Sequence, residues 1–298
     1  MINDETCDMT CKMEKYRKLI DEHLQDLLIE VNSNYAPAVE AMRYSLLAGG
    51  KRIRAILCLL FCEAVGGNSE NAVKAACAIE MMHTYSLIHD DLPSMDNDDI
   101  RRGMPSNHIK FGEFTAILAG DALQAFAFET LANSDLPQEN IVKMVKTLAQ
   151  AAGVHGMCGG QYLDLSGEGR QLTTEELIEL YSMKTSALLS AAAQLGVIAG
   201  GGTQEQINAA DAYAQSVGLA FQVRDDVLDC IATPEELGKP IGSDEENKKS
   251  TFAFLLGIEA CEQMVREETE KAITAVEGEF DNTEFLTLLA NILATRMK

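Results

Sequence analysis

Apolar residues recur every three to four positions along nearly the whole chain, and no stretch alternates strictly between apolar and polar. That period predicts helices rather than strands. The candidates cover about 12–32, 37–48, 53–65, 70–91, 113–132, 138–158, 174–199, 204–230, 250–277 and 283–296. Thr173-x-x-Glu176 and Thr203-x-x-Gln206 have the capping-box form, in which side chain and backbone satisfy each other's free donors. Thr233-Pro234-Glu235-Glu236 adds proline at a first helical position, where no amide hydrogen is needed. Glycine pairs at 49–50 and 66–67 and the triplet at 200–202 mark helix stops. No linker or fixed-period repeat divides the chain, so the expectation is a single domain over 1–298. Its fold class is all-α, a bundle of ten or more helices around a central cavity.

Composition agrees with this picture. Hydrophobic residues make up 47% of the chain and tryptophan is absent, while Ala, Leu and Met are abundant. Such side chains lose little rotamer freedom in a helix. The formal net charge of -22 argues against a nucleic-acid surface, which needs a basic face. The acidic start Met1-Ile2-Asn3-Asp4-Glu5 lacks the layout of a signal peptide. No apolar run approaches the roughly 18 residues of a membrane span. A cytoplasmic protein without membrane insertion is expected. The eight cysteines are scattered rather than grouped for zinc, and read as reduced, mostly buried thiols.

Two acidic clusters change the picture from architecture to chemistry. The first is Leu87-Ile88-His89-Asp90-Asp91-Leu92-Pro93-Ser94-Met95-Asp96-Asn97-Asp98-Asp99. Pro93 disfavours helix at Leu92, so the helix should end near Asp91 and leave Asp96 in a turn that folds back toward Asp90. The second is Phe221-Gln222-Val223-Arg224-Asp225-Asp226-Val227-Leu228-Asp229. There Asp225 and Asp229 share one helix face, with Asp226 adjacent. Acidic runs are usually solvated helix ends. Here, however, both follow strongly apolar helices, and carboxylates packed this closely need cations to neutralise them. Oxygen-only ligands suit magnesium, which binds one or two carboxylates together with substrate phosphates.

Basic residues flank the acidic ones. Gly49-Gly50-Lys51-Arg52-Ile53-Arg54 sets two glycines and three cations at a helix start, a favourable place for phosphate. Arg101 and Arg102 follow the first cluster directly. They either offset Asp98 and Asp99 or bind phosphate oxygens with their guanidinium forks. His83 lies seven residues before Asp90 on nearly the same face, and spacing alone gives it no function.

Taken together these motifs resemble the trans-isoprenyl diphosphate synthases, over nearly the whole chain. The stretch from Glu80 through Gly112 resembles the family's first aspartate-rich motif, and Phe221 through Asp229 the second. The resemblance implies that Lys51, Arg54, His83 and Arg102 bind the diphosphate of isopentenyl diphosphate. It implies that Arg101, Lys184, Thr185, Gln222 and Lys239 close on the allylic diphosphate (dimethylallyl or geranyl). Asp90 and Asp96 would hold Mg2+ on one wall and Asp225 on the other, with Asp226 and Asp229 open. Asp90, Asp96, Asp225, Arg101 and Lys184 are the catalytic set. Two departures stand out: Ala55 replaces the usual proline, and Lys248-Lys249 replaces a glycine–lysine pair.

The implied reaction is ionisation, condensation and elimination, which needs electrostatic stabilisation and fixed orientation rather than a protein nucleophile. Water would quench the allylic cation, so the pocket should be dry. Ser86 lies one turn before Asp90 and Tyr85 sits beside it, and an aromatic there resembles the farnesyl (C15) branch. Farnesyl diphosphate synthesis is therefore the expected activity, with a C20 geranylgeranyl product as the alternative. A class I terpene cyclase would not need the second diphosphate site of Lys51, Arg54 and Arg102. A non-catalytic regulatory subunit would have eroded aspartates. Members of the family are usually homodimers, so a second copy is the expected macromolecular partner.

Overall fold

The computed structural model describes residues 4–28, 32–231 and 250–296. The fold is all-α. Helix α1 spans Asp4–Leu27, α2 Ala36–Leu46 and α3 Ile53–Ala64, with a 3-10 turn at Ser69–Ala72 leading into α4, Val73–Asp90. Then come α5 Asn107–Phe111, α6 Glu113–Ala132, α7 Gln138–Ala152, α8 Met157–Gly167 and α9 Thr174–Tyr181. A π-helical turn, Ser182–Ser186, joins α9 to α10 (Ala187–Gly200), and α11 runs Gln204–Ile231. The C-terminal part contains helices Phe252–Leu256, Ile258–Val276 and Glu284–Thr295.

Helices apolar on all sides sit in the middle. From Ala55 to Cys62 every residue of α3 is buried, and α10 buries all but three of its fourteen residues. Such helices cannot face water and must be wrapped by others. They approach so closely that a Cβ on Gly196 of α10 would come within 2.1 Å of the Cys58 carbonyl oxygen of α3. Around them pack α4 and α11, with the edge-to-face rings of Phe61 and Tyr213 (5.3 Å) and of Phe61 and Phe280 (5.5 Å) filling the core. Each fully buried large side chain contributes roughly 1.5–3 kcal/mol. The two helices that carry the acidic clusters are thus anchored by the core, and their C-terminal halves reach the site.

Several expected boundaries shift for identifiable reasons. The first helix begins earlier than expected and ends at Leu27. Helix 138–158 stops at Ala152, before Gly153, and a separate α8 begins at Met157. The 174–199 segment is interrupted by the π-helical turn, and 250–277 divides at Gly257, whose φ is +81°. The expectation of no strands also fails. Ile100–Arg101 pairs antiparallel with Met104–Pro105 across a turn in which Arg102 and Gly103 have φ of 55° and 75°. Two-residue strands are too short for a period-two pattern, whereas two positive φ values are what a tight hairpin requires. Both capping boxes form; Thr233 to Glu236 lie outside the described residues.

Among the described residues no cysteine forms a disulfide. Burial pushes Cys62 up to about 12 and Cys58 well above the ordinary thiol range, which keeps them protonated and inert.

Candidate active site

The first acidic cluster folds as its sequence requires. Helix α4 ends at Asp90, and the Asp96 N–H donates to the Asp90 carbonyl at 2.8 Å, which turns the loop back over the helix end. Asn97 takes a positive φ of 54° to make this turn. Burial pushes the Asp90 carboxyl up to about 6, opposed by the charge of Lys184 and reinforced by Asp96. Such a carboxylate is under-neutralised by the protein and has affinity left for a cation. Asp91, one residue on, is different. It is buried and accepts the Arg101 Nε donor at 2.8 Å and also an Arg101 Nη, while Asp98 accepts from Arg101 Nη2 at 2.9 Å. Burial opposes the charge of Arg101, but Asp91 and Asp98 hold its guanidinium above its ordinary value.

The basic motif ahead of α3 is held by a buried network that sequence reading did not identify. Arg52 has a left-handed backbone, φ 52°, which a non-glycine residue adopts only under constraint. Its Nε donates to Asp21 at 2.9 Å, Nη1 to Glu80 at 3.2 Å and Nη2 to the Leu46 carbonyl at 2.7 Å. Glu80, buried on α4, also accepts the Ala55 N–H at 3.3 Å. This cross-brace fixes the start of α3 and so places Lys51 and Arg54. Arg102 arrives from the hairpin and donates to the Gly49 carbonyl. A Cβ on Gly50 would crowd the Arg102 guanidinium at 3.0 Å, and the Gly50 φ of +126° is one that side-chain-bearing residues rarely adopt.

Lys51, Arg54, His83 and Arg102 line one cavity of about 410 Å³, together with Thr185 and Arg296. Apolar side chains, among them Leu189, Phe221 and Leu289, complete its wall. The Arg54 Nη1 lies 3.4 Å from His83 Nε2, and the buried Arg54 Nε has no partner among the described residues. Burial, then the charge of Arg54, holds His83 well below the usual histidine range, and burial likewise lowers Arg54. A neutral imidazole and an under-satisfied guanidinium side by side are donors suited to an anion.

The π-helical turn lies between α8 and α11 and contacts both. Lys184 on it pairs with Asp164 of α8, and Thr185 donates to Gln222 Oε1 of α11 at 3.0 Å. Gly160 makes room for the turn, since a Cβ there would lie 2.2 Å from the Lys184 backbone nitrogen. A π-turn of this kind often marks a functional position. On α11 the carboxylates divide by role. Asp225 is half-exposed and pairs with Arg296. Asp226 is buried and accepts from the Phe252 N–H at 2.7 Å and from the Tyr181 hydroxyl at 3.1 Å.

Thus Lys51, Arg54, His83, Arg102 and Thr185 come together, with Gln222 bonded to Thr185. Asp90, Asp96, Arg101 and Lys184 form the adjoining rim. Lys239 lies outside the described residues, as do Lys248 and Lys249. Tyr85 and Ser86 are not among the residues lining the cavity. Ser86 donates back to the His83 carbonyl at 2.8 Å, while the buried Tyr85 sets its ring edge-on to His89 (5.7 Å) with its hydroxyl 3.4 Å from Cys158 Sγ. Arg52, Glu80, Asp164 and Arg296 were missed. Their ion-pair partners lie 20 to 71 positions away in the sequence, and local spacing carries no sign of them.

Among the described residues no three carboxylate, thiol or imidazole groups converge on one point. The two carboxylates Asp90 and Asp96 at a folded helix end are nonetheless donors of the type that magnesium takes together with phosphate oxygens.

A family model described as polyprenyl synthetase matches residues 37–288. The chain is 49% identical over 254 residues to a chloroplastic geranylgeranyl pyrophosphate synthase of Capsicum annuum, covering 84% of this chain and 69% of that protein. It is 48% identical over 265 residues to the large subunit 1 of a heterodimeric chloroplastic geranylgeranyl pyrophosphate synthase of Arabidopsis thaliana, covering 86% and 71%. Among solved structures, geranylgeranyl pyrophosphate synthetase from Pyrococcus horikoshii superposes with a TM-score of 0.88 at 34% identity, over 97% of this chain and 98% of that one. These names correct the expectation of a farnesyl diphosphate synthase. That expectation rested on the bulk of Tyr85, and bulk limits a growing chain only where the ring stands across its path. Here the ring is turned onto His89 and Cys158, an orientation that sequence does not reveal.

Proposed function

The chain belongs to the polyprenyl synthetase family, and from that premise we propose that it elongates allylic diphosphates with isopentenyl diphosphate to the C20 geranylgeranyl product. The C20 length rests on the geranylgeranyl names of the relatives. The single observation that carries the reaction is the junction at the π-helical turn. There Lys184 faces the Asp90 rim and Thr185 faces Gln222 and the basic cavity. Two diphosphate-binding walls, one acidic and one basic, meet at that turn. A terpene cyclase has no use for the basic wall.

In this reading Lys51, Arg54 and Arg102 bind the isopentenyl diphosphate, and neutral His83 donates a hydrogen bond to it. Arg101, Lys184, Thr185 and Gln222 orient the allylic diphosphate. Mg2+ held by Asp90 and Asp96, and by Asp225 opposite, would neutralise the departing diphosphate. Holding both substrates in register supplies the entropic part of the rate, and the apolar wall keeps water from the allylic cation. The proton lost at the end can leave on released diphosphate, so no protein base is needed. Arg101 keeps Asp91 occupied, which leaves Asp90 as the carboxylate open to metal.

The reading covers the whole chain as one domain. A second copy of the chain is the proposed partner, docked on the exposed apolar side chains Phe114, Ile117 and Leu118 of α6. Heterodimer formation is named for one relative. Among the described residues no helix is long and apolar enough to cross a membrane. Both plant relatives carry chloroplastic names.

The test is turnover of purified protein with Mg2+, labelled isopentenyl diphosphate, and dimethylallyl, geranyl or farnesyl diphosphate as starter. Dephosphorylated products are sized by chromatography. A C20 product from all three starters is expected. Termination at a shorter chain would overturn the product length, and no elongation at all would overturn the reaction.

A further inference from the structure

Arg296 ends the C-terminal helix and reaches back against α11. Its guanidinium carbon sits 3.6 Å from the centre of the Phe221 ring, and Nη2 both donates to the Phe221 carbonyl at 3.3 Å and pairs with Asp225. Arg224 holds the Arg296 carbonyl from two nitrogens, each at 3.2 Å. The backbone is therefore pinned, while the side chain rests on an aromatic face and one carboxylate. The Arg296 Nε is buried without a partner among the described residues. The same guanidinium lines the basic cavity beside Lys51, Arg54, His83 and Arg102.

We propose that Arg296 is an exchangeable counter-ion, pairing with Asp225 in the metal-free protein and moving to the diphosphate in the basic cavity once a divalent cation occupies Asp225. This rests on the reading of the cavity as a diphosphate site. One guanidinium cannot neutralise Asp225 and a substrate phosphate fully at once. Its position between the two therefore makes their occupancies interdependent. The Asp225 side chain is 43% exposed, so breaking the pair leaves its charge in water rather than stranded in the core. A stack on an aromatic face tolerates sliding and rotation of the guanidinium plane, and the unpartnered Nε supplies a further donor for phosphate oxygens. Linkage then requires that metal at Asp225 and anion in the cavity each strengthen the other's binding through Arg296.

Two binding measurements on Arg296→Gln test this, neither involving turnover. Mn2+ affinity is read by electron paramagnetic resonance without any diphosphate, and inorganic pyrophosphate affinity by calorimetry in chelator without metal. With its competitor removed, Asp225 should bind Mn2+ about fivefold more tightly, and the cavity should bind pyrophosphate about fivefold more weakly. A residue that merely anchors the C-terminus would not move the two affinities in opposite directions. Unchanged or weaker Mn2+ binding overturns the proposal, as does unchanged pyrophosphate binding. Should the glutamine variant melt below the assay temperature, Arg296→Lys takes its place. Having lost the planar fork, it should shift both affinities in the same directions by smaller factors, and any other pattern overturns the proposal. A failure of C20 synthesis would leave these affinities untouched, so the two readings fail separately.

Discussion

The Asp226 carboxylate accepts the backbone N–H of Phe252 at 2.7 Å, although its neighbour Asp225 is turned the other way, toward Arg296. One residue of an acidic pair thus ties the C-terminal segment to α11, while the other is presented to the site. Asp226→Ala leaves a buried N–H unsatisfied and should cost about 3 kcal/mol of stability, read by urea unfolding. Asp225→Ala removes a half-exposed pair and should cost under about 1 kcal/mol. It should lower turnover at least about a hundredfold. Equal stability losses for the two would refute this division.

Asp90 carries a pH dependence of defined sign. Its carboxyl lies at about 6 in the folded protein, against an ordinary value of 3.8. The folded state therefore binds the proton more tightly, and stability from this group is lost as pH rises from about 4 to 6. Without metal, Asp90→Asn should be more stable to urea than the natural protein at pH 7.5, by at most about 3 kcal/mol, and no more stable at pH 4. Mn2+ affinity of the natural protein should fall as pH drops through about 6. A pH-independent affinity would contradict the role given to Asp90.

Arg52 and Glu80 form a pair buried to within 2% on both side chains. Arg52→Met strands the Glu80 charge and should cost about 3–5 kcal/mol. Adding Glu80→Gln removes that charge while keeping an acceptor for the Ala55 N–H, and most of the loss should return. With Lys51 and Arg54 no longer held by the cross-brace, the double variant should show a raised KM for isopentenyl diphosphate and an unchanged KM for the allylic substrate. Raised values for both would point to general loosening instead.

Tyr85 provides a test of chain length. Tyr85→Phe removes only the hydroxyl contact with Cys158 and should leave the product distribution unchanged. Tyr85→Ala opens the wall of α4 at a cost of about 3–5 kcal/mol. Because the ring is turned onto His89 and Cys158, the product distribution should stay unchanged, and products longer than C20 would show instead that the ring bounds the growing chain. An unchanged distribution with the expected loss of stability would assign Tyr85 to packing alone.

Much of this protein is determined by local sequence, because the forces responsible are local. The helical period, the capping boxes at Thr173 and Thr203, the break imposed by Pro93 and the turn of Asp96 onto Asp90 all arise from interactions within about six residues. The acidic and basic motifs announce diphosphate chemistry because so many like charges cannot sit together without a counter-ion. Tertiary structure alone decided what depends on partners far apart in the chain: Arg52 between Asp21 and Glu80, Lys184 on Asp164, and Arg296 on Asp225. It also decided between neighbours that look alike in sequence. Arg101 engages Asp91, and Asp226 is drawn inward by Phe252 while Asp225 stays half-exposed. The orientation of the Tyr85 ring belongs to the same class. A side chain's size is written in the sequence, but the direction in which it limits space is set by what packs against it.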